Sequence, residues 1–510
     1  MTSYKNKILK IYFWQAIAFL LNFLSIFIVS PLLTGMPEIY GIYSVCVSLN
    51  IFLQYADFGF LDAGKKYAAE AYTVGDSSLE KKYLGTSMSI FAVMSVLVIA
   101  AFSYFAYNPC ALISDIEGNQ HLISIARKLI LILIASIPIY LLEKFCQSIY
   151  AIRLEDFVLQ RFNIAGSFLK ILSVPIIFFN NKYDIVGYYA FCQVISLLCI
   201  VFCLIRSRKI GYGLPSVFNV ISFDKEAFSK IKGLALSGFV SCLSWIVYFE
   251  LDSIYISFLL GAKMVAIYTI GKNIQSFVRS IIGIFYSPYV VRFNYFVGDN
   301  DFEGLRGYFY NLVSSFSCII FIPLLVIVLF AEPFVFSWVG SQYADSVIIL
   351  QVLVLGFILN YFLSPAGAIV YSLNRVRDIL ILSILQPLIF LVGVSVTYKT
   401  LGINAFPIFK LLACIISFLY YAILLSKILK YRYIDVIKML NLKSLILPSI
   451  LCLVASYFIN PFFQGYDKSS QHLLIVILTM GGVVLLSLGL NFLISKEFRR
   501  NVLSIIHIKR

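Results

Sequence analysis

The sequence predicts an all-α polytopic membrane protein of about fourteen transmembrane helices, and three observations lead there. Of 510 residues, 61% are hydrophobic and only 13% are charged, against roughly 25% charged in an ordinary soluble domain. That is too little charge to clothe a soluble core of this size. The apolar residues come in blocks of about 20, enough to cross a hydrocarbon layer about 30 Å thick at about 1.5 Å per helical residue. The blocks also repeat from end to end and leave no stretch for a soluble domain.

The first block, 11–33, follows Lys5, Lys7 and Lys10 and carries no clear small-residue cleavage site, so it reads as an uncleaved first span. Spans two to six follow at 39–61, 84–108, 129–152, 162–180 and 185–205, completing an N-terminal lobe over 1–206. Spans seven to twelve, at 233–260, 263–290, 308–331, 345–372, 378–398 and 403–426, make a C-terminal lobe over 207–430. A basic stretch from Lys427 to Lys443 then leads into two further helices, 444–463 and 472–494, and a basic tail, together 431–510.

Charge orients the spans. With the N-terminus inside, 29 of the 40 Lys and Arg fall on inner segments and six on outer ones, and the other five lie within spans. Shifting the count by one span spoils this asymmetry, so both termini are expected in the cytoplasm. The net charge of +15 then reflects threading and contact with anionic membrane lipid, and no nucleic-acid partner is expected. The outer loops are short, the longest about 109–127, which leaves no room for an extracytoplasmic catalytic or receptor domain.

Two residue types exclude other chemistry. His121, His472 and His507 are the only histidines and lie at block ends or in loops, which disfavours a histidine metal or general-base site. The ten cysteines are scattered without a CxxC pair and mostly sit in apolar blocks (Cys46, Cys192, Cys318 and Cys452, for example), as small core residues do.

An internal repeat carries the functional argument. Gly41-Ile42-Tyr43-Ser44-Val45, running on to Phe52, aligns with Ala266-Ile267-Tyr268-Thr269-Ile270, running on to Phe277, at an offset of 225 residues. Leu32-Leu33 and Leu259-Leu260 stand before the two copies. Six spans separate them, and an even number preserves orientation. Two parallel six-helix lobes are a known transporter layout, with substrate handled near the midplane.

Pro31-Leu32-Leu33, Pro37-Glu38 with Tyr40-Gly41 and Tyr43-Ser44, and Asp57-Phe58-Gly59-Phe60 resemble the opening of the polysaccharide-lipid flippases. These are the Wzx-type O-antigen translocases of the multidrug/oligosaccharidyl-lipid/polysaccharide (MOP) exporter superfamily. The layout matches over the whole chain and the motifs over its first 70 residues. The resemblance implies movement of an undecaprenyl-pyrophosphate-linked oligosaccharide to the outer leaflet of a bacterial inner membrane by alternating access. It also implies other polysaccharide-assembly membrane proteins as partners. Relatives that flip lipid II carry arginines in the first two spans; those spans hold no Lys or Arg beyond residue 10 here, which counts against that role.

A sugar-pyrophosphate headgroup cannot cross bare hydrocarbon, because burying unpaired charge costs many kcal/mol. Cations within spans are therefore the features to weigh. Lys272, Gln275, Ser276 and Arg279 follow at i, i+3, i+4 and i+7 on the eighth span and form one polar stripe suited to a diphosphate. Lys272 lies about 15 Å deep at about 1.5 Å per residue. The alternative is an ion pair with Glu250 or Asp252 of the seventh span, at nearly the same depth. That span has its own stripe, Ser237, Ser241, Ser244, Tyr248 and Asp252, so Asp252 is expected to face a cavity and Glu250 nearly the opposite way. Both are candidates for carrying a coupling proton or sodium ion.

Lys144 and Lys170, on the fourth and fifth spans, share a depth about eight residues from the inner end. They could receive the headgroup; alternatively, Lys144 pairs with Glu143 and Lys170 snorkels inward. Lys410 is close enough to the outer face to snorkel. Asp57, at the inner mouth of the second span, reads as a gate or a loop ion pair. Gly59, Gly64 and Lys65 have the spacing of a phosphate-binding loop, but Lys66 replaces the required Ser/Thr and no strand precedes them. The stretch reads instead as the end of a membrane helix entering a basic loop. Without another nucleotide motif, no cofactor is expected, and coupling falls to protons, sodium or the membrane potential. Two other readings stay open, a cation-coupled multidrug antiporter and a membrane polysaccharide polymerase or ligase. The first calls for carboxylates as the main cavity charge, the second for a large outer loop.

Overall fold

In hydrocarbon a backbone has no water to bond, so a chain this apolar must satisfy its peptide groups within helices. The computed structural model describes residues 2–55, 57–178, 183–212, 221–495 and 498–500, and there each predicted span has a helical counterpart. Of the residues singled out above, His507 lies outside the described residues, as do the side chains of Lys5, Lys7, Ser237 and Ser241. By packing, the chain forms two compact units, Met1–Ala266 and Ile267–Arg510. The seventh span thus packs with the first six, although the repeat groups it with the later ones.

The first unit holds α1 (Thr2–Leu33), α2 (Pro37–Tyr55), α3 (Phe60–Thr73), α4 (Ser77–Tyr107), α5 (Gln120–Ile152), α6 (Phe157–Ile177) and α7 (Ile185–Ser207). The seventh span follows in three pieces: α8 (Lys225–Trp245), a π turn (Ile246–Glu250) and α9 (Leu251–Leu260). Its core gathers Leu84, Met88 and Phe91 of α4, Phe145 and Ile149 of α5, and Ile200 and Leu204 of α7. Beside them, Arg153 pairs with buried Glu80 at 2.9 Å, and the Tyr212 hydroxyl donates to the same carboxylate at 2.9 Å. That trio ties α4, the end of α5 and the segment after α7 together.

The second span is shorter than expected. Phe58 (φ 47) and Gly59 (φ 83) are left-handed, which ends the helical path after Tyr55. The Asp57 carboxylate accepts from the Leu61 amide at 3.1 Å and starts α3 afresh. The Gly59–Lys65 stretch is therefore the beginning of a separate helix and not the tail of a membrane span. Gly41 of the repeated motif meets a packing demand: a Cβ there would sit 1.8 Å from the Ala262 carbonyl oxygen.

The segment 109–127, predicted as the longest outer loop, is folded onto the end of the seventh span. Ile113 and Ile116 are fully buried, Ser257 Oγ donates to the Leu112 carbonyl at 2.8 Å, and Asp115 accepts from the Ala262 amide at 2.8 Å. Gly261 (φ 87) makes the turn, and a Cβ there would collide with the Asp115 carboxylate.

From Ala262 the chain runs into α10 (Ala262–Gly298), which carries it into the second unit. That unit continues with α11 (Phe302–Leu329), α12 (Ala331–Val339), α13 (Asp345–Ile358), α14 (Asn360–Ser372), α15 (Val376–Leu401) and α16 (Ala405–Ile428). The short α17 (Tyr433–Met439), α18 (Leu442–Ile459) and α19 (Ser470–Ile494) complete it. The tenth predicted span is bent by 48° between α13 and α14. Pro365 within α14 has no N–H for the Tyr361 carbonyl, and the Tyr286 hydroxyl donates there instead, at 2.9 Å. Pro448 likewise frees the Ser444 carbonyl of α18, which accepts from Asn491 Nδ2 of α19 at 3.1 Å and from Cys318 Sγ of α11 at 3.2 Å. Asn491 is 1% exposed, so this bond docks the two extra helices on the ninth span.

Replacing Asn491 by Leu keeps the volume but leaves the Ser444 carbonyl only the weak thiol donor of Cys318. The expected cost is about 1–3 kcal/mol, seen as a lower unfolding temperature in detergent. An unchanged temperature would remove the clasp from the account of how α18 and α19 are held.

Candidate functional site

In the first unit, four membrane helices bring charged and amide side chains together. On α6, Lys170 Nζ donates to Ser196 Oγ of α7 at 2.8 Å. On α5, the Glu143 carboxylate feels the charges of both Lys144 and Lys170. Lys144 in turn acts on Asp57, at the end of the second span, together with Lys65 and Asp62. One turn before Lys144, the Tyr140 hydroxyl engages Asn50 of α2 and Gln193 of α7. The Asn50 carbonyl oxygen is buried with no partner among the described atoms.

The sequence-predicted Lys144, Lys170, Glu143 and Asp57 thus lie within electrostatic reach of one another through Lys144 and Glu143, and their formal charges cancel. Asp57 also caps α3, a role sequence reading did not give it. Lys170 points its ammonium at Ser196, on the helix beside it. Asn50, Tyr140 and Gln193 were missed, although the first and last are visible as amides inside apolar runs.

In the second unit, Lys272 and Gln275 of α10 are buried at 8% and 6% exposure, while Ser276 and Arg279 are half-buried. Lys410 of α16, close enough to the span's end to snorkel, is 2% exposed. Its ammonium lies 5.4 Å from the centroid of the Phe390 ring and 6.0 Å from that of Tyr268. Aromatic faces attract a desolvated cation, and these two rings are part of what Lys410 meets inside. Tyr268 stands one turn before Lys272, so Lys410 adds a third cation to the neighbourhood of the predicted stripe. Depth counted from the span's end could not find it, because groups on neighbouring helices, the rings on α10 and α15 among them, bear on which way the side chain turns.

The seventh span departs from its predicted stripe. Regular spacing from Ser244 through Tyr248 to Asp252 presumes an unbroken α-helix, but the π turn Ile246–Glu250 inserts a wider turn among those positions. Residues beyond it are rotated relative to Ser244. Asp252 is fully buried and Glu250 is 5% exposed, so both carboxylates are removed from solvent. The Ser253 amide donates to Asp252 at 3.0 Å. Among the described residues no cluster of His, Cys, Asp and Glu has the makings of a metal site.

No protein-family model matches the chain, and no curated protein matches it. Solved structures do. The lipid II flippase MurJ in an inward closed conformation aligns at a TM-score of 0.68 and 14% identity, over 95% of this chain and 98% of that one. An inward-facing multidrug resistance MATE family transporter of the MOP superfamily aligns at 0.63 and 20% identity, over 81% of this chain and 95% of that one. A MOP superfamily transporter from Pyrococcus furiosus, described as having a binding pocket of reverse polarity, aligns at 0.56 and 18% identity, over 84% and 97%. At such identities the likeness establishes the fold: this is a multi-pass membrane protein built as the transporters of the MOP superfamily are built.

The Lys170–Ser196 bond is the firmest polar contact of the first-unit cluster. A double-mutant cycle of Lys170→Ala and Ser196→Ala on unfolding in detergent should return a coupling of about 1.5 kcal/mol, as for a hydrogen bond to a charged group. Strictly additive losses would mean that Lys170 points elsewhere.

Proposed function

We propose that this chain is a flippase that moves a prenyl-pyrophosphate-linked oligosaccharide from the inner to the outer leaflet of a bacterial inner membrane by alternating access. The observation that carries the proposal is the set of buried cations on the α10 and α16 helices of a MOP-type fold. Lys272, Gln275 and Arg279 offer ammonium, amide and guanidinium donors along one helix, and a diphosphate needs such donors where water is excluded. Lys144 and Lys170, matched by Glu143 and Asp57, serve as the first docking point of the headgroup, whose negative charge competes with the acids for them. Asp252 and Glu250 are the groups for ion coupling or for holding the cations when no substrate is present. The 1–206, 207–430 and 431–510 division remains the proposed functional grouping, two six-helix lobes and an added pair.

The neighbours' own substrates do not decide this one. The fold is shared with a lipid II flippase, yet the first two spans lack Lys and Arg beyond residue 10, which favours another lipid-linked glycan. A multidrug antiporter for cationic drugs would be poorly served by the cationic α10 stripe. The fold also speaks for a carrier over a polymerase or ligase.

The deciding experiment follows the lipid-linked oligosaccharide in cells lacking this gene, with wild type or Lys272→Ala restored. Accumulation on the cytoplasmic face, relieved by wild type and at least tenfold less by the variant, is the expected result; accumulation of single units on the outer face would transfer the protein to the polymerase or ligase class. An anion of two charges moving outward through 100 mV gains about 4.6 kcal/mol. Collapsing the potential should therefore slow flipping, and an unchanged rate would exclude the potential as a driving force.

A further inference from the structure

At one end of the second unit, between the first turns of α11 and the ends of α14 and α16, lies a cleft of about 530 Å³. This is within the range of about 300–1,000 Å³ usual for small-ligand sites. Four of the residues lining it are cations, Arg306, Arg375, Lys427 and Lys430, against a single acid, Glu303. We propose that this cleft binds a phosphoryl anion, by preference the headgroup of an anionic phospholipid.

Two of the cations are held in place. Arg306 lies 3.9 Å from Asp435 and 4.8 Å from the centroid of the Tyr431 ring, while the Tyr431 hydroxyl donates to the Arg306 carbonyl. Arg375 lies 3.7 Å from Asp378, whose carboxylate also accepts from the Tyr420 hydroxyl at 2.6 Å. Lys427 and Lys430 are exposed and in no ion pair among the described residues. Lys430 has φ 54, a left-handed conformation that costs a residue with a Cβ and closes α16 at the cleft. Cations at a helix C-terminus can be explained by its dipole, which covers Lys427 and Lys430. Arg306 is different, because it stands near the N-terminus of α11, where the dipole gives a cation no support.

The choice of a lipid rests on the apolar parts. Leu373 and Leu429 contribute to the lining under the cationic rim. Phe302, also in the lining, is 45% exposed, and Tyr371 on the last turn of α14 is 72% exposed. Aromatic side chains left open beside basic groups are the usual equipment of a membrane–water boundary, and basic pockets at that level bind anionic headgroups. None of these residues enters the translocation proposal, so the inference stands apart from it.

The test uses the full chain purified in detergent, with Arg375→Gln/Lys427→Gln/Lys430→Gln and, separately, Glu303→Gln. Arg306 is left alone because it is built into the fold. Native mass spectrometry would follow phosphatidylglycerol against phosphatidylcholine, and calorimetry would follow inorganic pyrophosphate. At roughly fivefold per cation near a phosphate surface, the triple variant should bind about a hundredfold more weakly and Glu303→Gln more tightly. Preference for phosphatidylglycerol, lost in the triple variant, identifies a lipid site; binding of pyrophosphate lost in the same way supports the anion site with a soluble source. If both probes bind no better than phosphatidylcholine, or the triple variant binds like wild type, the proposal is wrong.

Discussion

The structure depends first on the rule that a carbonyl in hydrocarbon must find a donor within the protein. Helices meet it almost everywhere, and the instructive places are those where proline breaks the ladder. Pro365 and Pro448 each free one carbonyl, and each is taken by a side chain from a different helix, Tyr286 in one case and Asn491 with Cys318 in the other. A local defect is thereby turned into a tertiary contact. Among apolar helices in lipid, little else distinguishes one packing from another, since lipid tails are as apolar as leucine. Tyr286 and Asn491 thus give direction to helices that hydrophobicity alone would leave interchangeable.

The same scarcity of polar partners shapes the charged side chains. Three cations in the membrane helices illustrate it: Lys170 donates to Ser196, Lys144 lies within electrostatic reach of Glu143 and Asp57, and Lys410 lies over two aromatic rings.

Much of the architecture was legible in the sequence, because hydrocarbon imposes one period and one length on every span. The helices fall where the apolar blocks do, and Lys272, Gln275 and Arg279 do follow one another along α10. Two kinds of feature were hidden. Backbone irregularity was one: nothing in Ile246–Glu250 marks it as a π turn, and the left-handed Phe58 precedes a glycine that reads equally well inside a helix. Long-range choice was the other, since Lys410 could have turned toward water or toward the rings of Tyr268 and Phe390. Only the neighbouring helices settle which. The role of Gly41 shows the reverse case, a motif residue visible from the start whose reason, the carbonyl of Ala262, came only with the fold.

The π turn in the seventh span amounts to one residue stored in coiled form. If it relaxed to α-helical pitch, the ends of the helix would move apart or the surplus would slide along it, and everything beyond would turn by about 100°. Leu251–Leu260 is fixed at its far end by Ser257 on the Leu112 carbonyl and by the Asp115 cap on Ala262. Twist released at Glu250 could not spin freely through that anchor. It would accumulate across ten residues, with Asp252 at the loose end. Asp252, fully buried, lies directly beyond the π turn, where such a rotation would act on it first.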